Sequence, residues 1–509
     1  MVNGLAFVCF SYFFLCTLFS ISCKTPSGNL AWNSVDISVQ DAISKDVNIW
    51  KVSNLNRAHL AGNVTHYVRK EARCLYDDLS RLSITGNEAN GRAMWVDGCP
   101  GVGKSTTLFG WGLHQATIEI KEKKKVLWVH FEKERYYLLK IEKGNGMECT
   151  LAGEKWAQIE VLAKSFDIVL LDGVKEHMKT LFATIYELEH CVVVACTSYQ
   201  SGGYNPEADD KISYTTHHMD SWTLDQYKEA KIAGVILPDD LEQAYFYGGG
   251  SIRYLLWEID ALKTRFAKYV ERVEKPTTLL SGVQGVMSAP AVNALMQRFG
   301  NHTCVVSQYA LRLLSTKVDM EFVSAAEGVF TENPSWQGWV LELKFMVMCK
   351  IGDVTVELEN DKVTWKHSGS ITSWDGTDIE PGTLANNTWI IPGKWNQGCF
   401  DAIYFYQQGK VDIIQVTRAT ENHEYKFRHI EPFIQNLANT KGKCSIRFIV
   451  VVSEHNVKTF KISDGDLKDI DVANKFHKGW SSKRMFVGKL CSSAAVDATV
   501  SASKRRKRN

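Results

Sequence analysis

Four short apolar runs follow one another in the first half of the chain: "AMWVD" (Ala93–Asp97), "KVLWVHFE" (Lys125–Glu132), "DIVLLDG" (Asp167–Gly173) and "CVVVACTS" (Cys191–Ser198). Each run is nearly continuous rather than alternating, and helical stretches separate them. Strands that are apolar on both faces need cover on both faces, so the pattern predicts a parallel sheet between helical layers. Ahead of it, "SVQDAISKDVNIWKVSN" (Ser38–Asn54) reads as a short helix and a strand. From about Lys275 to Gly328 the pattern is helical and linking, and a second α/β unit follows from about Glu332 to Lys489. Within it, "WQGWVLELKFMV" (Trp336–Val347) has a helical period. "QGCFDAIYFYQQGKVDIIQVTRA" (Gln397–Ala419) reads as a hairpin, two apolar strands around a Gln-Gln-Gly-Lys turn at Gln407–Lys410.

Composition adds bounds. A chain of 509 residues predicts more than one domain. Hydrophobic content of 45% and charged content of 23% are ordinary for soluble globular protein. The net charge of +2 gives no general field for nucleic acid. Basic charge is concentrated instead in "KRRKR" (Lys504–Arg508), after a small-residue stretch expected to be disordered. That tail reads as a nuclear import signal, with a solvated tail or an electrostatic anchor on nucleic acid as alternatives. Thirteen cysteines lie without CxxC or Cys/His ligand spacing, which points to reduced, packed thiols. Leu5 to Ser22 is an uncharged apolar run with Ser20 and Ser22 in a small-x-small cleavage pattern. A secretory signal peptide over residues 1–23 is the expectation, with a signal anchor or a buried strand as alternatives.

"GCPGVGKST" (Gly98–Thr106) has the spacing GxxxxGK followed by Ser or Thr, between a strand and a helical pattern. Gly98, Gly101 and Gly103 permit tight turns that aim successive N–H groups at phosphates. Lys104 neutralises β/γ-phosphate charge, Ser105 offers a hydroxyl to Mg²⁺, and Thr106 closes the motif. The predicted cofactors are ATP or GTP with Mg²⁺. Asp172, closing the run Ile168–Leu171, is the candidate magnesium acid, against a helix N-cap reading. Gly173 stands where many ATPases place a catalytic Glu, so Glu132 is a substitute candidate, while Thr197 and Ser198 are candidate γ-phosphate sensors or turn caps. "WTLDQYKEA" and "YFYGGGSIRYLL" resemble the small helical lid of AAA-like NTPases, in which an arginine at the place of Arg253 reaches the nucleotide.

The hairpin carries a second candidate site. Glu342 on the helix, Asp401 opening one strand and Gln415 on the next resemble the metal site of the PD-(D/E)xK nuclease fold, where oxygen ligands hold Mg²⁺ at a sheet edge. Thr417 occupies the place of the usual lysine. Arg418, His423 or Lys426 are candidates to compensate.

Taken together, "GCPGVGKST", "IVLLDG" and "GGGSIRYLL", with "FDAIYF", "IIQVT" and His423, resemble the Crinkler effector family of filamentous plant pathogens and the related retrotransposon-hot-spot proteins. "VQDAISKDVNIWKVS" resembles the end of that family's ubiquitin-like N-terminal region. The family replaces the usual lysine motif by Gln-x-Thr, which matches Gln415 and Thr417. The apolar run takes the place of the family's Leu-Phe-Leu-Ala-Lys translocation motif, which is absent. The resemblance implies an α/β multidomain chain: signal peptide 1–23, degenerate ubiquitin-like region 24–84, P-loop NTPase with helical lid 85–275, helical linker 276–330, restriction-endonuclease-like domain 331–490 and basic tail 491–509. Glu342, Asp401, Gln415, Thr417 and His423 are then the nuclease residues. It also implies a secreted effector that enters host cells and acts in the nucleus on host DNA, provoking cell death or suppressing defence. Host nuclear proteins and import receptors are expected partners, with self-association a further option. A non-catalytic, nucleotide-switched binder is the alternative reading.

Overall fold

The computed structural model describes residues 33–36, 49–52, 64–82, 91–117, 124–132, 135–142, 145–152, 156–174, 178–188, 190–197, 214–274, 276–277, 279, 291–299, 302–329, 334–367, 371–374, 384–392, 400–406, 410–418, 422–424, 431, 433–435, 445–463 and 485–491. The apolar run Leu5–Ser22, the basic tail, Ser198 and Lys426 lie outside the described residues. Among the described residues, no helix is long and apolar enough to cross a membrane.

The first half begins with β1 (Asn33–Asp36), β2 (Ile49–Val52), β3 (Val64–Tyr67) and α1 (Lys70–Arg81). β4 (Ala93–Gly98) leads through the glycine loop into α2 (Lys104–Thr117). Then come β5 (Val126–Glu132), β6 (Arg135–Glu142), β7 (Asn145–Ala152), α3 (Trp156–Ala163), β8 (Ile168–Val174), α4 (Lys179–Tyr186), β9 (Val192–Thr197) and β10 (Thr215–Met219). Their sheet has the order β1-β7-β6-β5-β8-β9-β4-β10. The five strands from β5 to β10 in this order are parallel, and the four predicted runs are among them. Both faces are covered, as the continuous runs require. On β4, Met94 and Val96 pack with α1 and α2, while Ala93 and Trp95 pack with α3 and α4.

Two features differ from the sequence expectation. The stretch between β5 and β8 is not helical throughout: β6 and β7 form an antiparallel meander with β5. Buried Tyr136 and Leu138 flank half-buried Tyr137 there, the period of a strand, before buried Leu139 interrupts it. Parts of the region 24–84, expected to stand apart as a ubiquitin-like remnant, also join this fold. β1 pairs with β7 at the sheet edge, and Ala72, Leu75 and Leu79 of α1 share a core with Phe109 of α2.

A helical group follows: α5 (Leu224–Ile232), α6 (Leu241–Gly248), α7 (Ile252–Leu255) and α8 (Ile259–Glu271). Thr223 and Gln226 form a reciprocal capping box at α5. Next come α9 (Val292–Leu295), β11 (Met296–Phe299), β12 (His302–Val305), α10 (Gln308–Leu314) and α11 (Met320–Val329). The sequence pattern here is helical, yet β11 and β12 form an antiparallel hairpin within the segment.

The second large sheet is built from α12 (Pro334–Ile351), β13 (Val354–Leu358), β14 (Lys362–Trp365), β15 (Ile371–Trp374), β16 (Thr388–Pro392), β17 (Ala402–Phe405), β18 (Lys410–Val416), β19 (Asn422–Glu424), β20 (Ser445–Val452), β21 (Lys461–Ser463) and β22 (Met485–Leu490). Its order is β14-β13-β22-β20-β18-β17-β16-β15, with β19 and β21 paired separately. β16, β17 and β18 form an antiparallel meander, and β20 runs parallel to β18. One apolar core runs without a break from Phe246 and Phe266 in the lid helices, through Leu311 of α10, to Leu343 of α12 and Trp389 and Ile449 of the second sheet. The segment between lid and second sheet is therefore packed structure, not a tether.

Candidate functional site

The first site lies at the C-terminal end of β4, where the chain jumps across the sheet. Gly101 adopts φ +81°, and a Cβ there would lie 2.3 Å from Ser251 Oγ and 2.9 Å from Arg253 Cβ. Only glycine allows the lid to seat this closely on the loop. Ile252 N–H donates to Gly101 O over 3.0 Å, and Ser251 Oγ donates to Pro100 O over 2.9 Å. Arg253 is thereby held beside the loop, with an exposed side chain.

Lys104 is buried and donates to Gly98 O at 2.6 Å and Cys99 O at 2.8 Å. Burial lowers its pKa, because a charged amine loses hydration there. Ser105 Oγ donates to Asp172 Oδ1 over 2.7 Å, and Thr106 follows on α2, half-buried. Asp172 is 3% exposed and sits inside β8, so it does not cap a helix. A buried carboxylate that already gathers donors is suited to share a divalent cation with that hydroxyl.

Sequence reasoning missed several residues here. His130 Nδ1 lies 2.7 Å from Asp172 Oδ2, because the parallel register sets His130 opposite Asp172. The signal was the pair of runs "WVHFE" and "VLLDG", but reading it requires their register. Glu132, the substitute base, is exposed at the end of β5 opposite Arg135. Thr197 is buried and donates its hydroxyl to Val174 O over 2.8 Å. Arg69, 2% exposed, donates to Val102 O at 3.0 Å and Ser221 O at 3.1 Å, with Asp220 O as a further partner. Its guanidinium lies 5.0 Å from the Trp222 ring centre, and burial lowers its pKa to about 10. Asp97, just before Gly98, is buried and meets His218 Nδ1, with Arg298 Nη1 at 3.9 Å.

The second site lies where α12 meets the β17–β18 pair. Register sets Ala402 opposite Ile414, which brings Asp401 and Gln415 to the same end of that pair. Val416 N–H donates to Asp401 Oδ2 over 2.8 Å, and Asp401 N–H donates to Ile414 O over 2.8 Å. Burial and then the negative charge of Asp401 push the Glu342 carboxyl up to about 8. Burial also raises Asp401, opposed by the Val416 N–H and by Arg312. The two carboxyl groups are thus in electrostatic reach of each other. Gln308 Nε2 donates to Glu342 Oε2 over 2.9 Å. Gln415 Oε1 is buried and has no hydrogen-bond partner.

Two half-buried acids in electrostatic reach of each other, at the end of the β17–β18 pair that also carries Gln415, fit a divalent cation. Among the described residues there is no group of three or more His, Cys, Asp or Glu placed to hold a metal, so this donor set is two carboxylates and an amide. Thr417 N–H donates to Val451 O over 2.9 Å, and the residue is half-buried next to the pair. His423 lies in β19, on the separate two-stranded sheet, and its side chain is outside the described residues.

No family model and no curated protein matches this chain. Among solved structures it is similar to domain III of the replication initiation protein DnaA from Thermotoga maritima, at 15% identity and a TM-score of 0.24, over 42% of this chain and 87% of that one. It is also similar to C. elegans PCH-2, at 13% identity and a TM-score of 0.22, over 46% of this chain and 68% of that one. At these values the likeness assigns no function, and the loop and acid geometry stand by themselves.

Proposed function

We propose that this chain binds ATP or GTP with Mg²⁺ at the loop 98–106 and that the bound state governs a metal-dependent, nuclease-like site on the second sheet. The Ser105–Asp172 hydrogen bond carries the first half, because it joins the phosphate-type loop to a buried strand acid. Lys104 would bind β/γ-phosphate oxygens, Ser105 and Asp172 would hold the cation, His130 orients Asp172, and Arg253 stands at the lid edge. Mg²⁺, when bound, supplies neutralisation of phosphate charge.

On the second sheet, the support is the electrostatic reach between Glu342 and Asp401, with Gln415 at the same end of the β17–β18 pair and its amide oxygen unpaired. These three would hold a cation that polarises a phosphodiester of host DNA. The resemblance to Crinkler effectors, with Leu5–Ser22 and Lys504–Arg508, supports a secreted effector acting in the host nucleus.

One observation favours slow or absent hydrolysis. Gly173 adopts φ +81°, and a Cβ there would meet Phe131 O at 2.9 Å, so the position after Asp172 does not accommodate an acid. The first module is then a nucleotide switch.

Purified protein tests both halves. Tight ATP binding that Lys104→Ala removes supports the first. Cleavage of plasmid DNA with Mn²⁺ that Asp401→Ala abolishes supports the second. Intact plasmid under all metal and nucleotide conditions, with host toxicity unchanged by Asp401→Ala, sinks the nuclease reading.

A further inference from the structure

We propose that Arg312, on helix α10 after the lid, supplies the positive charge of the second site that Thr417 cannot. The proposal rests on the nuclease-like reading of that site.

Gln308 and Arg312 are four residues apart and share one face of α10. Gln308 binds Glu342, 2.9 Å away, so this face looks onto the acidic pair. Arg312 lies on the same face, toward the end of β16, which the antiparallel register setting Ile390 opposite Ile403 brings alongside Asp401. Its Nη1 donates to Pro392 O, at the end of β16, over 3.4 Å. Its guanidinium lies 4.9 Å from the ring centre of Phe246 in α6. Its Nε is buried and has no hydrogen-bond partner.

A guanidinium stacked on an aromatic ring, at the sheet end that carries the two acids, is suited to a phosphate oxygen. Thr417, on the hairpin itself, carries no charge.

The same geometry ties the charge to the nucleotide end. Phe246 belongs to the helix that runs into the Gly248–Gly250 turn, and Gly249 seats on Val306 and Ser307, the N-cap of α10. That turn also leads to Arg253 beside Gly101. The lid therefore fixes the helix that carries Arg312, whose guanidinium touches both a lid ring and the end of β16.

The test is Mn²⁺ binding to the full chain, followed by electron paramagnetic resonance, together with duplex DNA affinity. Removing a positive charge beside the cation should tighten Mn²⁺ by about threefold or more in Arg312→Gln. DNA affinity should move the opposite way, and Arg312→Lys should restore both. Mn²⁺ affinity equal in wild type and Arg312→Gln overturns this proposal alone. So does a loss of both affinities that Lys does not restore, since that marks structural damage. A wild type that binds no Mn²⁺, or whose binding is indifferent to Asp401→Asn, overturns the site reading and this proposal with it. If Arg312→Gln does not fold, Phe246→Leu loosens the same guanidinium, and unchanged Mn²⁺ and DNA affinities in it overturn the proposal.

Discussion

Ser105 hydrogen-bonds to Asp172 across 67 residues of sequence. The hydroxyl opens α2 and the acid lies in β8, although β9 stands between β8 and the loop's own strand β4. The bond exists because α2 crosses the sheet face and brings its first turn over the strand ends. Asp172→Asn keeps an oxygen for Ser105 but loses the charge. Its ATP affinity should become indifferent to Mg²⁺, read by titrating a fluorescent ATP analogue with and without the metal.

Lys104 is buried on its own loop, where two carbonyls hold it. Its replacement by Ala removes the cation meant for phosphate. Loss of a charge-assisted hydrogen bond of this kind is worth about ten- to a hundredfold in affinity. Calorimetric titration with ATP checks it, and equal affinities would remove Lys104 from the site.

Gly173→Glu should not install hydrolysis. The substitution forces a side chain onto φ +81° with Phe131 O in its way. A cost of about 1–3 kcal/mol in stability is expected from the strain. Urea denaturation and phosphate release measure the two effects, and a gain in turnover would contradict this account of Gly173.

Asp412 is fully buried and accepts from Arg447 Nε at 2.7 Å, Arg447 Nη2 at 2.6 Å, Tyr406 OH at 2.6 Å and Trp365 Nε1 at 2.8 Å. Arg447→Leu leaves the carboxylate without its countercharge. The loss should be about 3–5 kcal/mol, and adding Asp412→Leu should recover part of it. Chemical denaturation of the single and double variants decides.

Glu342 gives a pH signature. Its carboxyl is raised from an ordinary 4.5 to about 8, so the folded state binds the proton more tightly than the unfolded state. The stabilisation is fully present below about 4.5 and is lost as pH rises through about 8. Melting temperature of metal-free protein should therefore fall over that window. Glu342→Gln should flatten the fall, and an identical profile in the variant would show that Glu342 titrates normally.

Much of the first module is legible in sequence. Continuous apolar runs between helical stretches call for strands covered on both sides, and β4, β5, β8 and β9 are such strands. The glycine spacing before Lys104 specifies a phosphate-type loop through backbone sterics alone. The meander β6–β7 escapes a reading by period because its alternation is interrupted by buried neighbours such as Leu138 and Leu139. The hairpin β11–β12 escapes it because four-residue strands carry little period.

Local pattern determined the strands, the loop and the identity of Lys104, Ser105 and Asp172 as candidates, since those follow from residue type and near-neighbour spacing, while Glu342, Asp401 and Gln415 became candidates through the resemblance to the PD-(D/E)xK metal site. Only the tertiary structure decided that His130 joins Asp172, that Arg69 supports the loop and that Arg312 packs between Phe246 and the end of β16. Those meetings depend on strand register and on which helix the shared core presses against which sheet. Both are set by packing between residues far apart in the chain, and no local period records them.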